Sequence, residues 1–494
     1  MITTDLLIIG GGINGCGIAA DAAGRGLSTI LCEQNDLASG TSSASSKLIH
    51  GGLRYLEHYE FRLVQKALQE REILLRKAPH IIFPLQFIMP HHQNLRPAWL
   101  IRTGLFLYDH LGGKISLPKS YSIHFKQHSI GKAIKETFQK GFVYSDCCVD
   151  DARLVILNAI AAKHNGATIL TRTQLTDAKR YREYWEATLK NQLTAQTQII
   201  RAKVLINAAG PWVENILNKL SISSKNHIVL VKGSHIVVPK LYPDNFAFIL
   251  QHTDRRIIFV IPYEEHYSLI GTTDVPFTDD FYDITISQNE IDYLLNIVNT
   301  YFRQSITLHD IVWNFSGLRA LKEDKSNNPS AITRDYELEL NEDHGLAPLL
   351  SIFGGKITTY RILAESVLEK CRKFFPHCGP AWTEKIVLPG GEIPEANFNK
   401  FFQVFKQRYS WLPIKIAYRY ARSYGTYSEK LIGNAKSIND LGQDYGNGLY
   451  EAEFNYLYQY EWAMTIEDVL WRRTKLGLHF TKEEILELKK VKKV

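Results

Sequence analysis

The first 33 residues leave few choices of fold. Residues 5–9 (Asp-Leu-Leu-Ile-Ile) are a short apolar run suited to a strand buried on both faces of a parallel sheet. Gly10-Gly11-Gly12-Ile13-Asn14-Gly15 follows at once, then a helix of small residues over 16–23. A second strand, 28–32, stops at Glu33. Strand, glycine turn, helix, strand and acid in this order form the βαβ unit that binds dinucleotides. Gly10 permits the tight turn, Gly12 lets the backbone approach a pyrophosphate, and Gly15 lets the helix lie close to the strand. The helix N-terminus, where Asn14 sits, turns unsatisfied N–H groups and a partial positive charge toward the phosphates. Glu33 stands about 20 residues past the glycines, where a carboxylate binds ribose hydroxyls. This pattern alone does not separate nicotinamide from flavin dinucleotides.

Later segments extend the same sheet. Residues 204–207 form an apolar strand that closes on Ala208-Ala209-Gly210-Pro211, and 349–353 form another that runs into Gly354-Gly355-Lys356. A helix with Thr358 and Thr359 in its first turn follows. Between these strands, residues 228–238, 257–261 and 311–315 are β-branched and aromatic, which predicts a mainly antiparallel sheet inserted into the dinucleotide fold. Residues 376–394 hold four prolines and three glycines and read as a linker. Beyond it the pattern is helical, and Thr465-Ile466-Glu467-Asp468 reads as an N-cap with an acid three residues on, opening a helix through Trp471. The predicted class is therefore α/β. A Rossmann-like dinucleotide-binding domain (about 1–60, 145–215 and 345–385) is interleaved with a mainly antiparallel β substrate domain (mainly 225–345). Residues 1–385 form this core, and 386–494 form an α-helical C-terminal cap.

A chain of 494 residues with 45% hydrophobic and 22% charged residues is neither disordered nor fibrous. A formal net charge of +7 is mild for this length, and a dedicated nucleic-acid binder would be more basic and more clustered. The excess suits an anionic substrate or an anionic membrane surface. Cys16, Cys32, Cys147, Cys148, Cys371 and Cys378 show neither C-x-x-C nor zinc-ligand spacing, so no metal is expected and a reducing, cytoplasmic setting is the economical reading. No secretory signal or spanning helix is read; residues 98–107 come nearest, interrupted by Arg102 and Gly104. Residues 357–375 carry an apolar stripe edged by Arg361, Lys370, Arg372 and Lys373. That stripe suits either a core-facing helix or one lying in a membrane interface.

The stretch 38–56, A-S-G-T-S-S-A-S-S-K-L-I-H-G-G-L-R-Y-L, is dense in hydroxyls and glycines, suited to lining a phosphate and flavin path. With G-G-G-I-N-G (10–15), Y-S-D-C-C-V-D-D-A-R-L (144–154), N-A-A-G-P-W-V (207–213), K-G-S-H-I-V-V-P (232–239), I-G-T-T-D-V (270–275), S-G-L-R-A-L (316–321), A-I-T-R-D-Y (331–336) and F-G-G-K-I-T-T-Y-R (353–361), the chain resembles the FAD-dependent, respiratory glycerol-3-phosphate dehydrogenases of the D-amino-acid-oxidase-like flavoprotein superfamily. The motifs run in the family's order over most of the chain. Ala209 and Ala320 depart from the usual threonine and proline, and neither change touches a charged group.

The resemblance implies FAD as cofactor and oxidation of the C2 alcohol of sn-glycerol 3-phosphate to dihydroxyacetone phosphate, by hydride transfer. Electrons would pass to membrane quinone at the cytoplasmic face of the inner membrane, from a peripheral protein, with a homodimer left open. It carries the phosphate site onto Arg54, Arg319 and Arg334, with Tyr55 as a hydroxyl donor and Thr272 beside it; arginine's planar fork suits a phosphate. His235 becomes the leading general base, although its Ile236-Val237-Val238 flank equally fits a core histidine. Lys356 stabilises reduced flavin or contacts substrate. Thr41, Ser42, Ser46, Lys47, His50, Gly51, Asn207, Gly210, Gly354, Gly355 and Thr358 join Gly10, Gly12, Asn14, Gly15 and Glu33 around the cofactor. Alternatives at this stage are oxygen as acceptor, a carboxylate-bearing amine or hydroxy acid as substrate, and a flavin-holding protein without turnover.

Overall fold

The computed structural model describes residues 2–92, 96–252, 254, 256–278, 281, 284–323 and 335–491. Arg334 and residues 331–333 of the A-I-T-R-D-Y motif lie outside the described residues. Strand β1 (Ile2–Ile9) leads into α1 (Ile13–Gly24) and β2 (Thr29–Cys32). Along the chain come α2 (Phe61–Lys77), α3 (Ala98–Leu111), α4 (Asp151–His164), β3 (Thr197–Asn207), β4 (Ile228–Pro239), β5 (Trp313–Lys322), β6 (Leu349–Phe353) and α5 (Tyr360–Cys371).

The first sheet runs Glu337–Asn341, β6, β3, β1, β2, Thr168–Leu170, with the last five strands parallel. In register, Ile9 lies opposite both Asn207 and Cys32, and Asn207 opposite Ser351. The strands thus end along one line, and the glycine turn, Glu33 and Ala208 emerge together at their carboxyl ends, where ligands bind in such sheets. Helix α1 packs between α4 and α5, and its small residues allow this. A Cβ on Gly15 would lie 1.9 Å from the Gly10 carbonyl oxygen, and one on Gly17 would lie 2.7 Å from the Tyr360 ring.

The second sheet has ten strands, antiparallel except where Ala247–Gln251 meets Ile82–His91. It contains β4 paired with β5 over ten residues, and also Ile82–His91 and Lys140–Val149, which sequence patterning did not single out. The first of these two carries Pro84 and Pro90, and Lys140–Val149 is buried at every position after its first. Neither shows the period-2 alternation that reveals a half-exposed strand.

Of the two readings of the basic stripe at 357–375, the structure selects the core. Tyr360, Leu363, Ala364, Val367, Leu368 and Cys371 are all buried against the first sheet. Arg361 is buried and paired with Glu70 and Glu365, Lys370 donates to the Leu338 carbonyl, and Lys373 pairs with Glu342. Helix α3 is the opposite case. Ile101, Leu105 and Tyr108 face inward, while Trp99 (70% exposed), Leu100 and Phe106 (58%) face outward. Among the described residues no helix is long and apolar enough to cross a membrane.

The proline-rich segment 376–394 is fastened rather than loose. The Gly379 N–H donates to the Arg25 carbonyl, the Trp382 indole to that of Asp21, and the Leu388 N–H to that of Lys77. Beyond it, Phe398–Arg408, Ile414–Tyr424 and Glu451–Glu461 enclose a separate core that includes Phe405, Tyr420, Leu457 and Leu470. The expected cap at Thr465 is present: its N–H bonds to Asp468, whose own N–H bonds back to the Thr465 hydroxyl. The turn it opens, Asp468–Arg473, is π-helical. All six cysteines are buried free thiols, and burial pushes those of Cys32 and Cys148 up to about 12.

Gly15→Ala forces α1 away from β1, because backbone cannot yield as a flexible side chain can. The expected result is a stability loss of about 1–3 kcal/mol and a sharp loss of bound cofactor, read by thermal melting and by visible absorbance of the purified protein.

Candidate active site

One continuous cavity of about 680 Å³ lies between the two sheets at the carboxyl ends of β1, β2 and β3. Of the residues expected to contact cofactor, Gly10, Gly12, Asn14, Glu33, Thr41, Ser42, Ser46, His50, Gly210, Gly354, Gly355, Lys356 and Thr358 line it. At one end no side chain caps the start of α1, although the Ile13 N–H is met by the Ser42 hydroxyl at 3.0 Å. The Asn14 amide donates to the Gly354 carbonyl, tying this helix start to the glycine turn after β6, while its Oδ1 is buried with no hydrogen-bond partner among the described residues. Gly354 and Gly355 have φ of +79° and +110°, which let that turn double back against Asn14.

The Glu33 carboxylate accepts N–H bonds from Gly11 and Asn35, both at 2.7 Å. Burial nevertheless holds its carboxyl above the usual range, with those two N–H groups pulling the other way.

At the other end, Arg54, Tyr55, Thr272, Arg319, Lys356 and His235 share the wall. Arg54 and Tyr55 sit on a single 3-10 turn, Leu53–His58, entered through Gly52 at φ +77°. Lys356 Nζ lies 3.8 Å from the centre of the Tyr55 ring, which joins that turn to the start of the helix after β6. Arg319 projects from β5, with Nη1 2.7 Å from Asp274 and Nη2 donating to the Thr273 carbonyl at 2.6 Å. Its fork is oriented by the wall. Gly233, opposite Gly317 on the paired strands, leaves the room: a Cβ there would lie 2.7 Å from Arg319 Nη2.

His235 is 2% exposed and stacks on Phe315, with ring centroids 4.8 Å apart and an interplanar angle of 15°. Its Nε2 lies 2.9 Å from the Ser46 hydroxyl. Its Nδ1 is buried with no hydrogen-bond partner among the described residues. Desolvation, helped by the charges of Lys47 and Arg319, pulls its pKa down to about 3.

Four residues expected at the cofactor stand behind the wall. Gly15 sets the helix against its strand. Lys47 is buried, with Nζ on Asp151 and on the Ser43 carbonyl. The Gly51 N–H bonds to the Tyr108 hydroxyl, which itself bonds to Asp146, and Asp146 pairs with Arg71. The Asn207 amide donates to the Val213 carbonyl at the end of β3. Sequence reasoning missed Asp274, Gly233 and Phe315. Asp274 and Gly233 were visible in the quoted I-G-T-T-D-V and K-G-S-H-I-V-V-P motifs, whereas Phe315 becomes a site residue only through the β4–β5 register.

A dinucleotide cradle and a cationic pocket sharing one cavity define a dinucleotide-dependent oxidoreductase. Comparison with known proteins agrees. A model of FAD dependent oxidoreductases matches residues 5–361, and one of the C-terminal domain of alpha-glycerophosphate oxidase matches residues 381–494. The aerobic glycerol-3-phosphate dehydrogenase of Escherichia coli (strain K12) is 52% identical over 97% of this chain and 95% of its own length. The D-erythritol 1-phosphate dehydrogenase of Brucella abortus (strain 2308) is 49% identical over 98% and 96%. The crystal structure of the glycerol-3-phosphate dehydrogenase from Bacillus halodurans, complexed with FAD, superposes with a TM-score of 0.80 at 28% identity, covering 99% of this chain and 89% of that one. The chain belongs to the FAD dependent oxidoreductase family, and FAD is its cofactor. The residues present fit that group: the start of α1, a glycine-lined approach and Asn14 Oδ1, buried without a hydrogen-bond partner among the described residues, meet on one side of the cavity, and a carboxylate stands beside them.

Because its pKa lies far below that of a solvated imidazole, His235 stays neutral in the substrate-free protein from pH 8 to pH 5, which NMR of ¹⁵N-labelled histidine detects as an absent titration. Its unfolded counterpart takes up a proton below about 6.5. The His235 contribution to stability is therefore full above that pH and falls as pH drops through it, and His235→Gln flattens this part of the stability profile.

Proposed function

We propose that the protein oxidises sn-glycerol 3-phosphate at C2 to dihydroxyacetone phosphate and passes the electrons to membrane quinone. The observation that carries this reading is the meeting of Arg54, Arg319, Lys356 and His235 Nδ1, which has no hydrogen-bond partner among the described residues, at one end of a cavity whose other end is a dinucleotide cradle. The relatives' names support it, since both named substrates are phosphate esters of polyols. FAD, when bound, supplies the two-electron oxidation by accepting a hydride equivalent from the carbinol carbon.

The chain's own groups have three tasks. Arg54 and Arg319, joined by Arg334 on the strength of the family resemblance, bind the phosphate dianion, and Tyr55 and Thr272 offer hydroxyls. Several cations in one pocket favour a phosphate over a single carboxylate. The second task is to take the alcohol proton. The Ser46 hydroxyl, which can donate or accept, lies on Nε2; in the tautomer whose Nε2–H donates to it, the neutral imidazole keeps its lone pair on Nδ1. A dianion entering the pocket raises the basicity of the imidazole, so proton acceptance is coupled to substrate binding. Lys356, at the N-terminal approach to α5, supplies positive charge for the third task, stabilising the electron-rich flavin.

Electron exit to a quinone calls for contact with lipid. Helix α3 turns Trp99, Leu100 and Phe106 outward and packs against the turn that bears Arg54 and Tyr55; Tyr59, directly after that turn, and Phe61, at the start of α2, are also exposed. Aromatic and aliphatic side chains so arranged, with Arg102 among them, suit a peripheral seat on an anionic cytoplasmic membrane face.

Anaerobic addition of glycerol 3-phosphate should bleach the flavin bands, and a quinone analogue should restore them faster than air does. Flavin bands that persist would send the substrate back to the amine and hydroxy-acid class. Arg319→Ala should raise KM for glycerol 3-phosphate at least about tenfold with FAD retained, and unchanged kinetics would remove it from the phosphate site. Replacing Trp99 and Phe106 together by serine should abolish co-sedimentation with anionic vesicles while leaving turnover with a soluble acceptor intact.

A further inference from the structure

The cap reaches the loops beside Glu33 through a short element, the π-helical turn Asp468–Arg473. Asp36, three residues past Glu33, is fully buried. Arg473, also fully buried, grips it with both arms of its fork, Nη1 on Oδ2 and Nη2 on Oδ1, each at 2.8 Å. Arg472 adds a third contact through Nε. At the other end of the same turn, Asp468 receives Arg172 on both oxygens at 2.8 and 2.7 Å. Arg172 belongs to a second loop. Its N–H donates to the Asn35 carbonyl, and the next N–H, that of Thr173, donates to the Glu33 carbonyl at 2.7 Å. Gln34, Asn35 and Ser39 from the first loop and Thr173 and Gln174 from the second line the Glu33 end of the cavity. Among the described residues, the side chains that reach the Asp36 carboxylate both come from the cap.

We propose that this turn is a clamp that sets FAD affinity. Arg472, Arg473 and Asp468 act as positioning residues that hold the two loops in the conformation the adenosine half of the cofactor needs. The proposal rests on reading the Glu33 end as the ribose end. Stability alone is a poor reason for the arrangement, because the desolvation cost of buried ion pairs offsets much of their attraction. A bidentate pair does fix the position and orientation of the loop that carries Asp36. Two other contacts, Arg153 with Glu461 and Lys475 with Asp150, fasten the cap to α4 and its N-cap and line no part of the cavity.

Those contacts supply the control. Full-length holoenzyme carrying Arg172→Gln together with Arg472→Gln keeps Arg473 on Asp36, so the fold is retained. On dilution, followed by the rise of free-flavin fluorescence, its Kd for FAD should increase about tenfold, and the Kd of the apoprotein for ADP, measured by direct titration, should increase by the same factor. Turnover per bound FAD should be unchanged. Arg473→Lys, which keeps the charge and loses the fork, should fall between wild type and the double variant. Lys475→Met should lower the melting temperature and leave both affinities alone. An unmoved FAD affinity in the double variant would overturn the proposal, as would a Lys475→Met effect of equal size. FAD weakened with ADP unmoved would support the clamp and overturn the assignment of the Glu33 end to adenosine.

Discussion

The close approach of α1 to β1 is the contact on which the rest of the molecule depends. Only a glycine at position 15 lets the helix start beside the Gly10 carbonyl. That start brings Asn14 to Gly354, and so joins two turns 340 residues apart in the chain. The parallel register then brings Ile9, Cys32, Asn207 and Ser351 to one level, and every cofactor-facing loop leaves the sheet from that line. A wider helix–strand spacing would separate the glycine turn from the loop after β6, leaving no single cavity.

The second sheet solves a different problem, which is to hold charge and an uncharged base side by side. Arg319 is kept in place by Asp274 and the Thr273 carbonyl, and Thr273 is itself fixed by the buried end of Glu290. His235, two residues along β4 from Gly233, is screened from water by Phe315 and stays neutral beside that guanidinium. Desolvation outweighs any stabilisation of the imidazolium here, because its nearest charged neighbours, Lys47 and Arg319, are cations. The cap enters this picture as a partner of the first sheet, with its buried arginines turned to Asp36 and its aspartate to Arg172.

Local order was legible where neighbours in sequence are neighbours in space. The glycine turn, Glu33, the strand 204–207 and the Thr465 cap could be read because each is set by hydrogen bonds spanning a few residues or by unbroken apolar runs. The strands at 82–91 and 140–149 escaped, since burial at most positions erases the alternation that marks a strand. The basic stripe at 357–375 was ambiguous for a related reason. An apolar face with a cationic edge looks the same whether it meets lipid or a sheet, and only the partners of Arg361 and Lys370 distinguish the two.

By itself the sequence determined the βαβ dinucleotide unit, the glycines it needs and the helical character of the C-terminal quarter. These follow from period, turn chemistry and spacing, which are one-dimensional properties. Tertiary structure alone decided which residues share a cavity. Arg54, His235, Arg319 and Lys356 come from four separate stretches, and Lys47 and Asn207, equally eligible by motif, face away from it. It alone also placed α3 outward, α5 inward, and two cap arginines on an aspartate more than 430 residues earlier. The physical reason is that burial and ion pairing depend on distances across the fold, and no local pattern in the chain encodes those distances.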